Sequence, residues 1–145
     1  VPAHHQPVCE QHRAELEWLI PLAQKVETVH GDHEEAPLGL TEALLTLRDE
    51  LDSHMAKEEQ VLFPMMRQGG HPAIQHPIAV MRHDHDTAAG LLRKVEHVTH
   101  GLTLPEGACR SWTALYTGLE KFTEDLVAHM HLENDVLFAR FDTAA

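Results

Sequence analysis

Apolar residues recur at alternating steps of three and four along four stretches of the chain, the period of helices that each bury one face. The first stretch reads Cys9, His12, Leu16, Leu19, Ala23, Val26, His30. The second reads Leu40, Leu44, Leu47, Leu51, His54, Glu58, Val61, Met65, and the third Ile78, Met81, His85, Ala88, Leu92, Val95. The fourth reads Trp112, Leu115, Leu119, Phe122, Leu126, His129, Glu133, Val136. No segment alternates with period two for long enough to predict a strand. Turn residues set the limits. Pro7 is read as a first-turn proline opening a helix that runs to about His30, and Gly31 to Pro37 form a connection. The second helix spans about Leu38 to Arg67, closed by Gly69, Gly70 and Pro72. The third starts near Pro77 and fades around Gly101; Pro105 and Glu106 open a fourth that continues to about Arg140. Four long amphipathic helices with short connections predict an all-α, antiparallel up-down-up-down four-helix bundle, with residues 1–145 as a single domain. Pro21 conflicts locally with this pattern. An interior proline costs about 3 kcal/mol, so a bend or a break is expected there.

Composition narrows the functional classes. A chain of 145 residues is one ordinary domain, long enough to bury a core. Eleven basic against 23 acidic residues give a formal charge of -12, which argues against nucleic acid or an anionic membrane as partner. No apolar run reaches the roughly 18 residues of a membrane span, and Val1 to Gln11 lacks the apolar centre of a signal peptide. Cys9 and Cys109 alone cannot build a disulfide framework, so a reducing, cytoplasmic setting is expected. Histidine is unusually frequent, with 14 residues, which matters only where the pattern calls for burial.

Polar residues interrupt every seam. A carboxylate in a bundle core is costly unless it is paired or bound to a cation. Glu58 and Glu133 both fall on the inward stripe, and each follows a histidine by four residues, so each pair leaves the same helix face. The surroundings repeat: His54-Met55-Ala56-Lys57-Glu58 leads to Val61-Leu62-Phe63, and His129-Met130-His131-Leu132-Glu133 leads to Val136-Leu137-Phe138. Two copies on the second and fourth helices imply an approximate two-fold arrangement, which suits two metals bridged by two carboxylates. Imidazole and carboxylate together are a set that iron or manganese accepts. The plainer alternative places the glutamates at the bundle edge or in hydrogen bonds to their histidines.

Axial levels, at about 1.5 Å per residue, extend the set. The first two helices meet near residue 34, which brings His54 and Glu58 level with Cys9 and His12 and leaves His30 about 15 Å away as a helix-end histidine. Glu58 falls opposite residue 86, beside His85. The same estimate across the third and fourth helices misses by several residues. His4, His5, His33, His71, His76, His97, His100 and His131 lie in loops, at ends or off the seams and are read as solvated. Asp84, beside His85, is solvated, a hydrogen-bond partner to a ligand, or a channel carboxylate, and the solvated reading is preferred. Trp112, Phe122 and the methionines are assigned to the core, and Cys109 is read as a small buried hydrophobe. Neither cysteine has a CxxC partner, and no phosphate-binding loop or GxSxG elbow is present.

These residues resemble a known family, the di-iron iron-sulfur cluster repair proteins (repair of iron centres), a hemerythrin-like group with an HHE cation-binding domain. The resemblance runs from His12-Arg13-x-Glu15-Leu16 through Lys25-Val26-Glu27-x-Val29-His30-Gly31-Asp32-His33. It continues through His54-Met55-x-Lys57-Glu58-Glu59-Gln60-Val61-Leu62-Phe63-Pro64-Met65 and Met81-x-x-Asp84-His85-Asp86, and ends in His129-x-x-Leu132-Glu133-Asn134-x-Val136-Leu137-Phe138. True hemerythrins are less similar: their third helix carries two ligand histidines four apart, and here His85 is followed at that spacing by Ala89. Ferritin-type sites use ExxH, the opposite order.

The resemblance implies two non-haem irons, with His54, His85 and His129 as terminal ligands and Glu58 and Glu133 as bridges; manganese is the alternative metal. The family's first-helix ligand histidine falls on Cys9, the main departure. Three outcomes stay open there: a Cys9 thiolate ligates, favoured by a position near a helix start; His12 turns in; or one iron keeps an open position. Full-length members also carry a small cysteine-bearing N-terminal domain, so a fragment of a longer protein is expected. The implied function is repair of iron-sulfur clusters damaged by nitric oxide or oxidative stress. The centre would bind nitric oxide or oxygen species, or release iron to a damaged cluster protein, and whether it catalyses nitric oxide reduction is open. The rival is a hemerythrin-like module that binds oxygen or nitric oxide reversibly as a sensor or store. A third reading is a metal-free bundle.

Overall fold

The computed structural model describes the backbone of residues 2–69 and 72–138 and, within them, the side chains of residues 11–69, 73–135 and 138. Helix α1 (Pro2–Val29) is followed by α2 (Leu40–Lys57), a π-turn (Glu58–Leu62) and α3 (Phe63–Arg67), which together form one rod. A 3₁₀ turn (Pro72–Ile74) leads into α4 (Gln75–Val98), and α5 (Arg110–Leu132) ends in a second π-turn (Glu133–Leu137). No strand occurs among the described residues.

The helix starts have local causes. Pro2 takes the first helical position that Pro7 was expected to hold, where a missing N–H costs nothing, and Pro7 falls inside α1. Pro21 does not break α1; its own side chain is exposed while Leu19, Ile20 and Ala23 beside it are buried. Helix α2 lacks a side-chain cap of its own, and Gly39 before it sits at φ 92°. Glu27 of α1 supplies the cap, accepting the N–H groups of Gly39 (2.7 Å) and Thr41 (2.9 Å). The charge at the helix N-terminus is favourable and fixes the α1–α2 corner.

Cross-helix contacts establish the antiparallel order. Down α1 and α5, Lys25 bonds Ser111, Trp18 lies over Gly118, and His12 reaches His129. Between α2 and α4, Gly39 faces Val98 while Lys57 reaches Asp84. Between α1 and α2, Arg13 pairs with Asp52 at 3.1 Å, near the level the sequence predicts for His12 and His54. The estimate that fails is the one between the last two helices. His85 of α4 meets Glu133 and Asn134 of the second π-turn, far beyond a symmetric hairpin, and α4 and α5 themselves touch little.

The interior is built in two parts. Leu16, Leu19, Leu44, Leu47, Trp112 and Phe122 belong to the larger apolar cluster. Leu62, Phe63, Ile74, Ile78, Met81 and Phe138 form a smaller one. Along the second, third and fourth rods, His54 and Glu58, His85 and Glu133 occupy the stretch between the two.

The π-turns change the seam where it matters. Uniform α-spacing places Val61 and Met65 inside, yet Val61 is 45% exposed and Met65 only half-buried. Leu62 and Phe63 are buried instead. A π-turn bonds five residues apart, so it adds one residue per turn and shifts everything downstream by one position. Phe63 N–H donates to the Glu58 carbonyl and Phe138 N–H to that of Glu133. Pro64 follows the first π-turn but Ala139 follows the second, so proline is not the shared cause. The two turns share the glutamate that opens each and the Val-Leu pair that ends it.

Candidate metal centre

Glu133 is the hub. Its Oε1 lies 2.8 Å from His85 Nε2 and 3.5 Å from His54 Nε2, while its Oε2 lies 3.1 Å from His129 Nε2. One carboxylate thus faces two groups of histidines with its two oxygens. Glu58, fully buried, contacts His54 Nε2 one turn away on the same rod. His54 and His85 approach each other Nε2 to Nε2 at 3.2 Å. Donor atoms of His54, Glu58, His85 and Glu133 all lie within 4.8 Å of one another, and all four residues are buried. On the other side of Glu133, His129 Nδ1 lies 3.4 Å from His12 Nε2, with the rings stacked at 5.5 Å; His12 is 1% exposed.

The donor set fits a cation. Burial alone would pull the His54 imidazole down, but hydrogen bonds to Glu133 and Glu58, with their charges, push it up to about 10. Two buried carboxylates thus favour positive charge between them, which a metal ion would supply in place of the proton. Histidine and carboxylate donors suit iron, manganese or zinc better than calcium or magnesium.

The structure brings together His12, His54, Glu58, His85, His129 and Glu133 from the sequence set. Cys9 lies in α1, and its side chain falls outside the described residues. Two neighbours, Asn134 and Glu15, went unassigned, and a third was read the other way. Asp84, preferred as solvated, turns inward: its Oδ2 stands 3.5 Å from His54 Nδ1 and 3.1 Å from Lys57 Nζ. Asn134 Oδ1 lies 2.9 Å from His85 Nδ1. Glu15 Oε1 stands 3.9 Å from His12 Nδ1, and burial pushes the Glu15 carboxyl up against the pull of Lys121. Glu15 and Asn134 carried one available signal, a place three residues or one residue along the helix from a ligand candidate.

At the opposite end, His30 lies just beyond α1 as expected, with its ring 5.0 Å from Trp112. Cys109 is exposed, not a buried hydrophobe. It precedes α5 in an extended conformation at the rim of the bundle, and its Sγ lies 3.2 Å from His30 Nε2.

A buried histidine–carboxylate cluster inside a four-helix bundle defines the class of cation-binding helical bundles. The chain belongs to the hemerythrin HHE cation-binding domain family, which it matches over residues 9–141. It is 46% identical over 140 residues to iron-sulfur cluster repair protein YtfE of Pectobacterium carotovorum, a match covering 97% of this chain and 62% of the relative. To the proteins of the same name from Dickeya chrysanthemi and Escherichia coli it is 47% identical over 131 residues, covering 90% of this chain and 59% and 60% of theirs. The chain therefore spans about three-fifths of the length of these curated relatives. No described helix is long and apolar enough to cross a membrane.

Proposed function

We propose that this chain is the di-iron domain of a cytoplasmic protein that repairs iron-sulfur clusters damaged by nitric oxide or oxidative stress, with manganese as the alternative metal. The observation that carries the reading is the division of Glu133 between His85 and His54 through one oxygen and His129 through the other. Identity to iron-sulfur cluster repair proteins over nearly the whole chain supports the choice of client. His54, Glu58, His85 and Glu133 would hold one metal; His12, His129 and the second oxygen of Glu133 would hold the other. Bound iron would supply a redox-active Lewis acid able to take nitric oxide or an oxygen species, or to be handed on.

Among the described residues, four buried donors converge on one side, while two histidines and the shared carboxylate lie on the other. Glu133, facing both histidine groups, would keep two metals close while tolerating a change in their charge. Apolar clusters flank the centre on both sides.

The test is reactivation. Reduced, iron-loaded protein is added to a cluster enzyme that nitric oxide has inactivated. Recovered activity, dependent on the iron, is the result expected. A stable stoichiometric nitric oxide adduct with no recovery would support the reversible binding module instead.

A further inference from the structure

At the end of the bundle away from the metal centre, the close of α1 and the start of α5 bring a thiol, an imidazole and an indole together. Lys25 Nζ donates to Ser111 Oγ at 3.0 Å, which holds the two helix ends level. Just past α1, His30 Nε2 stands 3.2 Å from Cys109 Sγ. The His30 ring packs on Trp112, itself 1% exposed, at 5.0 Å and 33°. His33 meets the same indole edge-on at 5.2 Å, and its Nδ1 accepts the Glu35 N–H at 3.0 Å. Trp112 thus seats the imidazole from inside the bundle, while the sulfur it faces is exposed.

The sulfur is not spent on the helix. Cys109 is the residue before α5, where a side chain ordinarily accepts an N–H of the first turn, yet among the described residues it caps none. Its carbonyl accepts the N–H and the hydroxyl of Thr113, each at 3.0 Å, which fixes the backbone. The side chain turns to His30 instead. A thiol within hydrogen-bond reach of an imidazole that a third group seats is the arrangement of a base-activated nucleophile. On whichever side the proton rests, Nε2 is placed to hold it while the sulfur reacts. The positive end of α5 favours the negative charge that then develops on sulfur.

We propose that Cys109 and His30 form a thiol-modification site that takes up low-molecular-weight disulfides. Cys109 Sγ attacks one sulfur of the small disulfide while His30 Nε2 takes the thiol proton. The S–S bond of the reagent breaks, and its other sulfur leaves as a thiolate that accepts the proton. Cys109 is oxidised to a mixed disulfide, the departing half of the reagent is reduced to a free thiol, and excess thiol reverses the exchange. The step is independent of the metal centre.

Oxidised glutathione is the probe, added to the full chain near neutral pH. Mixed-disulfide formation is followed by mass on the peptide that carries Cys109, separately from the one that carries Cys9. Wild type is compared with His30→Ala and His30→Gln. An unassisted thiol is roughly 3% thiolate at about pH 7, so a base can speed the attack by about 30-fold at most, and by less once the weaker nucleophilicity of a stabilised thiolate is counted. Both variants should therefore react about 5–20-fold more slowly at Cys109 and at the wild-type rate at Cys9. Free imidazole should restore part of the lost rate in His30→Ala. Variants that react at Cys109 as fast as wild type overturn the proposal. So does a slowing that Cys9 shares or that imidazole does not relieve, which a purely structural contact would give.

Discussion

His85 Nδ1 and Asn134 Oδ1 meet across the bundle at 2.9 Å, while the other nitrogen of the same ring meets Glu133. Consecutive residues of one turn thus grip one imidazole from two sides. The π-turn that opens at Glu133 permits this, because a wider turn brings neighbouring side chains closer in angle than an α-helix does.

Asn134→Leu should therefore weaken iron binding by about 10-fold or more while leaving the helix content intact. Asn134→Asp, which preserves the acceptor, should retain most of it. Chelator competition followed at the absorption band of the loaded protein checks both, and equal retention in Asn134→Leu and wild type would refute the assigned role.

The first π-turn makes a stability prediction opposite to that of a regular helix. Val61 is 45% exposed and Leu62 fully buried. Val61→Lys should change stability by no more than about 0.5 kcal/mol. Leu62→Ala should cost about 2–5 kcal/mol. Chemical denaturation of the two variants decides; the reverse ranking would mean that the helix runs through Glu58 without the extra residue.

Metal should stabilise the folded state, which alone assembles the site. Iron at 100 times its Kd adds about 2.7 kcal/mol. For a domain near this size that is a rise in Tm of about 5–10 °C. Replacing His54 and Glu58 together by Leu and Met should sharply reduce the rise, yet leave the metal-free protein as stable as wild type or more so by about 1–4 kcal/mol, since a buried ion pair is traded for apolar packing. Calorimetry with and without chelator measures both effects. A full iron-dependent rise in the double variant is the outcome that would count against these ligands.

The seams of Leu44, Leu47, Leu51 and of Leu115, Leu119, Phe122 were legible because a three-four spacing has one geometric meaning. The two His-x-x-x-Glu pairs were legible because a carboxylate on such a seam demands a compensating charge. The shift after Glu58 was not, since propensity and period do not distinguish a π-turn from one more α-helical turn. Asp84 could not be assigned from the sequence either: its partner Lys57 and its target His54 lie on another helix, and only the packing of α2 against α4 brings them together. Cys109 was misread because apolar character decides burial only within a helix face, and this residue stands one position before α5 begins.

The central claim is that two metals share Glu133, and diffraction from iron-loaded crystals at the iron absorption edge tests it most directly. The account predicts two anomalous peaks about 3.5–4 Å apart, one among His54, Glu58 and His85 and the other toward His129 and His12. A single peak, a zinc signal without iron, or peaks remote from Glu133 would contradict it.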